Sequence, residues 1–290
     1  MGKGTYSMRK VVVTGGAGFV GTNLIKRLVK EGHQVWSIDN YATGFKENHQ
    51  DGCVYVDEDV NTTEFDFSSI DVIYHLAALA RIQPSIRNPK QAIDANVSGT
   101  LNILDIARQY DIPVVYAGSS SKHHGLWGSP YAWSKYAGEQ LCELYNKVYG
   151  LSTVICRFYN VYGPHQIESG TYATVLGIFQ RQFRNNQPLT ITGTGEQRRD
   201  FTHVDDIVDA LYKCIDKTFD AEIFELGRGE NFSINEIADM FKCETEYIDA
   251  RPGEYPYTLC DYSNAKEKLD WQPTRNLKDY INDILHTLSR

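Results

Sequence analysis

The stretch that most narrows the possible folds is TGGAGFVG, residues 14–21, because of what stands on either side of it. Residues 9–14 (RKVVVT) form a short β-branched run, and residues 22–32 (TNLIKRLVKEG) carry apolar side chains at helical spacing until Gly32 stops them. Strand, glycine turn and helix follow without a gap. Gly15, Gly18 and Gly21 recur every third residue, as a turn this tight requires where backbone must approach a ligand. The helix that opens there offers free N–H groups and partial positive charge, so a pyrophosphate is the expected guest. An ordinary tight turn is the competing reading, and the flanking strand and helix weigh against it.

The same alternation continues through QVWSIDN, CVYVDED, DVIYHLAAL, a helical VSGTLNILDIARQY, then IPVVYAGSS and a helix beginning near Pro130. This rhythm predicts an α/β fold, a doubly wound parallel sheet with helices on both faces. After STVICRFYNVYG the texture changes: residues 163–200 are rich in Gly, Gln, Thr and Arg, and a second, smaller lobe is expected there. DFTHVDDIVDALYKCID briefly restores a strand and helix, and NLKDYINDILHTLS reads as a closing amphipathic helix. The expected division is residues 8–162, with 201–227 returning to it, against 163–200 and 228–290. Residues 1–7 precede the first strand and are left out of it.

Composition excludes several functions. A net charge of -8 and a pI near 5.5 disfavour nucleic acid as the main partner. The six cysteines are scattered without a CxxC pair, which suggests neither a disulfide framework nor zinc and fits a reduced, cytoplasmic setting. No apolar run approaches the roughly 20 residues that span a bilayer.

Asp39 ends the second strand, where a carboxylate accepts hydrogen bonds from an adenosine ribose and repels a 2′-phosphate. No arginine follows in IDNYATG, so NAD is expected rather than NADP, a solvated loop aspartate being the alternative. Asp59 closes the third strand and could meet the adenine amino group. Further along, SSSKHHGLWGSPYAWSKYAG (residues 119–138) admits two readings: serines and histidines as a nucleophile or metal site, or Tyr131 and Lys135 as a proton-transfer pair. Ser129 and Pro130 suit a helix N-cap and first position, which puts Tyr131 in the first turn and Lys135 one turn on. A neighbouring ammonium would favour the phenolate and make a usable base. His123 and His124 are adjacent with no Cys or carboxylate at ligand spacing, so no metal is expected.

TGGAGFVG, HLAA, YAWSK, RFYNVYG, RDFTHVDD and RPGE together resemble the extended short-chain dehydrogenase/reductase family, in particular its nucleotide-sugar 4-epimerases, over residues 9–275. That resemblance implies a Rossmann-type lobe for NAD, a smaller C-terminal lobe for a UDP-sugar, and a homodimer built on a four-helix bundle from helices near 98–110 and 131–149. It implies epimerisation at C4 through a 4-keto sugar, with Ser120, Tyr131 and Lys135 as the catalytic group. Ser120 follows from counting Ala117 to Gly125 against the family pattern, with Ser119 as the alternative. Cofactor contacts are implied at Gly15, Gly18, Phe19, Val20, Gly21, Asp39, Asn40, Thr43, Gly44, Asp59, Val60, Leu76, Ala77, Ala78, Asn96, Tyr131, Lys135 and Phe158. Substrate contacts are implied at Ser120, His124, Asn160, Arg199 and Arg251; His124 stands where relatives place a Tyr, or is a loop histidine without function.

Dehydratases and decarboxylases of the family carry Asp or Glu just after the catalytic Ser/Thr, whereas here Ser121 and Lys122 follow, so elimination lacks its acid. The segment from Gly125 to Pro130 is shorter than usual, which unsettles any borrowed sugar. Another NAD-dependent reaction of the family is the alternative, and a non-catalytic NAD-binding regulator the more distant one.

Overall fold

The computed structural model describes residues 7–288, with His124 and Leu288 described by backbone alone. The first half alternates as the sequence predicts. Its elements are β1 (Lys10–Thr14), α1 (Phe19–Lys30), β2 (Gln34–Asp39), β3 (Cys53–Asp57), β4 (Val72–His75), α2 (Ile82–Arg87), α3 (Pro89–Ile93), α4 (Gly99–Tyr110), β5 (Val114–Ser119), α5 (Ser121–Gly125), α6 (Pro130–Tyr149) and β6 (Thr153–Phe158). The second half adds β7 (Val161–Tyr162), α7 (Val175–Arg184), β8 (Leu189–Thr192), β9 (Arg198–Asp200), β10 (Thr202–His203), α8 (Val204–Tyr212), β11 (Asp220–Leu226), β12 (Asn231–Ser233), α9 (Ile234–Phe241), β13 (Thr245–Ile248), α10 (Ser263–Leu269) and α11 (Leu277–Leu288).

Seven strands form one parallel sheet in the order β11-β6-β5-β4-β1-β2-β3. The chain runs outward from β1 to β3, then returns past β1 to β4, so the strand order reverses between β1 and β4. A crevice opens beyond the carboxyl ends of the strands at such a reversal. Val11, Val13, Tyr74 and Val154 bury one face of the sheet against α1 and α8, and Val12, Ile73, Val114 and Ile155 bury the other against α4 and α6. Strands covered on both faces read as continuous β-branched runs, as β1 does.

The smaller lobe is built from pairs of short strands, β9 with β12 and β8 with β13, around a core that includes Phe179, Ile191, Ile237, Phe241 and Ile281. The expected loss of βα rhythm over 163–200 is only partial, since α7 occupies ten residues of it. Two buried carboxylates tie distant segments together. Buried Asp200 accepts from the backbone N–H groups of Arg228, Gly229 and Cys260, and Asp206 from those of Thr274 and Arg275. Among the described residues no helix is long and apolar enough to cross a membrane.

Candidate active site

A cavity of about 1530 Å³ runs along the strand ends from the glycine loop to the smaller lobe. Single-ligand pockets span roughly 300–1,000 Å³, so two ligands fit end to end.

At one end Gly15 adopts φ +72°, and a Cβ there would lie 2.8 Å from the backbone of Ala77. A Cβ on Gly21 would lie 2.2 Å from the Gly15 carbonyl oxygen. Both positions therefore exclude every other residue, and the loop folds flat against β4. No side chain caps α1 and no acid stands in its first turn, so its leading N–H groups remain available to an anion. Gly18, Phe19, Val20, Leu76, Ala77 and Ala78 line the cavity beside this loop.

Asp39, Asn40, Thr43, Asp59 and Val60 form the adjoining wall. Asp39 Oδ2 accepts from Ala17 N at 2.9 Å and Oδ1 from Tyr41 N at 2.8 Å. Burial raises its pKa against the pull of those two bonds. Asn40 Nδ2 donates to Asp59 Oδ2 at 2.7 Å. Gly44 and Asn96 brace this half of the site. A Cβ on Gly44 would press on Asp39 Oδ2 at 3.0 Å, and Asn96 accepts from Leu79 N at 2.8 Å while donating to Ser134 Oγ at 2.9 Å. The glycine cradle and the carboxylate at the β2 end fit a dinucleotide.

Tyr131 and Lys135 lie one turn apart on α6, capped by Ser129 through Ala132 N at 3.1 Å. The phenol donates to Ser119 Oγ at 3.3 Å, and Ser119 Oγ lies 2.8 Å from Ser121 Oγ. Ser120 also lines the cavity, and its hydroxyl has no partner among the described residues. Thus Ser119 is the serine that touches the phenol, and Ser120 is the one with a hydroxyl to offer. Phe158 closes this end.

Burial pushes the Tyr131 phenol up from its ordinary value; the Ser119 hydrogen bond and the positive charge of Arg81 pull it back. Lys135 lies with its Nζ 4.3 Å over the Tyr116 ring, and burial lowers it to about 8 against the opposing charge of Glu139. Arg81 is thus a second cation bearing on the phenol, beside the Lys135 that the sequence pointed to. Behind the serines, Glu139 accepts from Ser119 N at 3.3 Å and pairs with buried Arg157 at 2.7 Å. Arg157 also meets Glu225 at 2.8 Å, and His123 Nε2 meets the same carboxylate at 2.7 Å. His123 is thus hydrogen-bonded into the Arg157 network under the site. Among the described residues no group of three or more His, Cys, Asp or Glu could hold a metal.

On the smaller lobe, Arg199 lies 4.7 Å over the Tyr255 ring and donates to Arg198 O at 2.9 Å. Burial lowers its pKa. Asn160 Nδ2 donates to Asp200 O at 3.1 Å and to Thr258 Oγ1 at 3.4 Å. Arg251 is exposed, and with Asn160 and Arg199 it lines the cavity. The side chain of His124, expected at the pocket wall, lies outside the described residues. Sequence reasoning missed Arg81, Glu139 and Tyr255. Glu139 extends the stride of 131 and 135 by one more turn, and Arg81 is a lone cation in the small-residue loop AALARIQ, so both left a signal.

The family model described as "NAD dependent epimerase/dehydratase family" matches residues 11–227. A Methanocaldococcus jannaschii protein provisionally assigned as a UDP-glucose 4-epimerase is 34% identical over 300 residues, covering 95% of this chain and 97% of that one. The structure of Thermotoga maritima UDP-glucose 4-epimerase with UDP-glucose is similar at TM-score 0.91 and 28% identity, covering 97% of this chain and 98% of the other. That of Bacillus cereus UDP-glucuronic acid 4-epimerase with UDP-glucuronic acid and NAD is similar at TM-score 0.88 and 27% identity, covering 97% and 99%.

Proposed function

The chain belongs to the NAD dependent epimerase/dehydratase family, and from that premise we propose that it inverts C4 of a UDP-linked sugar and acts as a homodimer. At the coarser level it is an NAD-dependent enzyme that modifies nucleotide sugars. The observation that carries the finer reading is the Tyr131 phenol, hydrogen-bonded to Ser119 on the wall of a cavity that starts at the dinucleotide loop.

NAD, when bound along that loop, supplies the acceptor and donor of one hydride at C4, so net redox is zero. Gly15, Gly18 and the first turn of α1 hold its phosphates; Asp39 takes the ribose. Tyr131, in its phenolate form, accepts the C4 hydroxyl proton and later returns it. Ser119 fixes the phenol oxygen, while Ser120 donates to the reacting sugar oxygen. Lys135 holds positive charge beneath them. Arg199 and Arg251 anchor the diphosphate, which leaves the sugar free to present its other face. Ser121 and Lys122 follow Ser120 where elimination would need a carboxylic acid, which favours epimerisation over dehydration. Incubation with UDP-, GDP- and TDP-sugars without added reductant, followed by NMR, tests this. Interconversion of C4 epimers is expected; a dehydrated or decarboxylated product, or none, would overturn it.

A further inference from the structure

Arg81 ends the loop between β4 and α2 and lines the cavity near Tyr131. It is held by the chain on both sides of the cavity: Nε donates to Tyr172 O at 2.8 Å and Nη1 to Ala80 O at 2.8 Å. Its remaining donors, including both on Nη2, meet no acceptor among the described residues, and none of the described carboxylates pairs with it. The ionisable groups whose charges bear on it are two phenols, Tyr172 and Tyr131, the second of which carries its negative charge only until it takes the substrate proton. A guanidinium keeps its proton under burial, so this wall carries a cation that no carboxylate meets and that the Tyr131 phenolate offsets only until it is protonated. Such a charge is costly until an anion meets it.

The cavity's other demands for positive charge fall elsewhere. Dinucleotide phosphates have the α1 N-terminus, and a substrate diphosphate has Arg199 and Arg251 on the smaller lobe. Neither uses Arg81, whose Nη2 donors stay unmet even where its charge favours the Tyr131 phenolate. We propose that Arg81 receives a carboxylate carried by the sugar ring, and that the preferred substrate is a nucleotide-linked hexuronic acid. This rests on the reading that C4 of the sugar lies at Tyr131. Carbon 5, which bears the carboxylate of a hexuronate, is bonded to C4, so one ring orientation serves both groups. The planar fork of Arg81 suits two carboxylate oxygens, whereas a neutral hydroxymethyl group leaves the charge unmet.

Titration calorimetry on the NAD-loaded protein with UDP, UDP-glucose and UDP-glucuronate reads this without requiring turnover. Wild type is expected to bind UDP-glucuronate at least tenfold more tightly than UDP-glucose. Arg81→Gln should collapse that ratio, and should weaken UDP far less than it weakens UDP-glucuronate. Arg81→Lys, which keeps the charge and loses the fork, should fall between. A wild type without the preference overturns the proposal, even if Arg81→Gln does not fold. So does an Arg81→Gln protein that loses all three ligands by the same factor, because the guanidinium would then serve the diphosphate or the phenol. Selective binding of UDP-glucuronate without epimerisation would refute the epimerase reading and leave Arg81 its role. Epimerisation of UDP-glucose with equal or higher kcat/KM would do the reverse.

Discussion

Tyr131 is held by one hydrogen bond to Ser119, in surroundings whose burial favours the neutral phenol. Its usefulness as a base thus depends on what offsets burial, and Tyr131→Phe removes the proton acceptor while preserving shape. We expect kcat to fall by roughly 10²–10⁴, the usual share of general-base catalysis, with NAD and UDP-sugar still bound. Single-turnover kinetics with calorimetry separates the two, and near-normal turnover would sink the assignment. At the other end of the cavity, Asp39→Ala should relax a preference for NAD over NADP, since the carboxylate would face a 2′-phosphate with no arginine after it. Equal binding of both dinucleotides by wild type would contradict this. These residues were legible because each belongs to a local pattern: a glycine turn, a strand end, a helical turn. The serine was not. Helix α5 starts at Ser121, directly after β5 ends at Ser119, so the alternation that sorts strand side chains breaks off within the triplet. Arg81 escaped as well, because its meaning comes from Tyr131 and Tyr172, far off in sequence.

Helix α6 extends the same logic through Tyr131, Lys135 and Glu139, which recur every fourth residue on one face. Burial lowers Lys135 to about 8, and the Glu139 carboxylate is what keeps it from falling further. If the charged ammonium supports turnover, activity should decline as pH rises through that value. Glu139→Gln deletes the negative charge, so the Lys135 pKa drops and the alkaline limb of the kcat profile should move to lower pH. An unmoved limb would mean that another group titrates there. The same change breaks a buried pair with Arg157, a loss of roughly 3–5 kcal/mol, so the melting temperature should fall too. Elements of this length announce themselves in sequence through caps and period. The smaller lobe does not, because its strands span two to four residues and α7 hides its apolar stride, Leu176, Phe179 and Phe183, among glutamines and arginines.

For the whole molecule, the parallel sheet follows from alternation, while α4 and α6 keep large apolar side chains exposed on their outer faces. On α6, Trp133, Leu144 and Val148 are 36%, 49% and 59% exposed, and they lie eleven and four residues apart, close to three turns and one turn. Leu101 on α4 is 44% exposed. The first three form an apolar stripe on the helix that also carries Tyr131 and Lys135. Two copies meeting along α4 and α6 would bury it in a four-helix bundle, at about 25 cal/mol for each Å² of apolar surface removed from water. Light scattering behind size exclusion should therefore give twice the chain mass of 32.9 kDa. Leu144→Glu combined with Val148→Glu should give the monomer mass, because four carboxylates would meet at the dimer axis and a like-charged, desolvated cluster is strongly disfavoured. Both side chains are exposed in the single chain, so circular dichroism should show the fold unchanged and isolate the effect to assembly. A wild type that runs at monomer mass at micromolar concentration would leave the stripe to some other surface, and the homodimer would have to be given up.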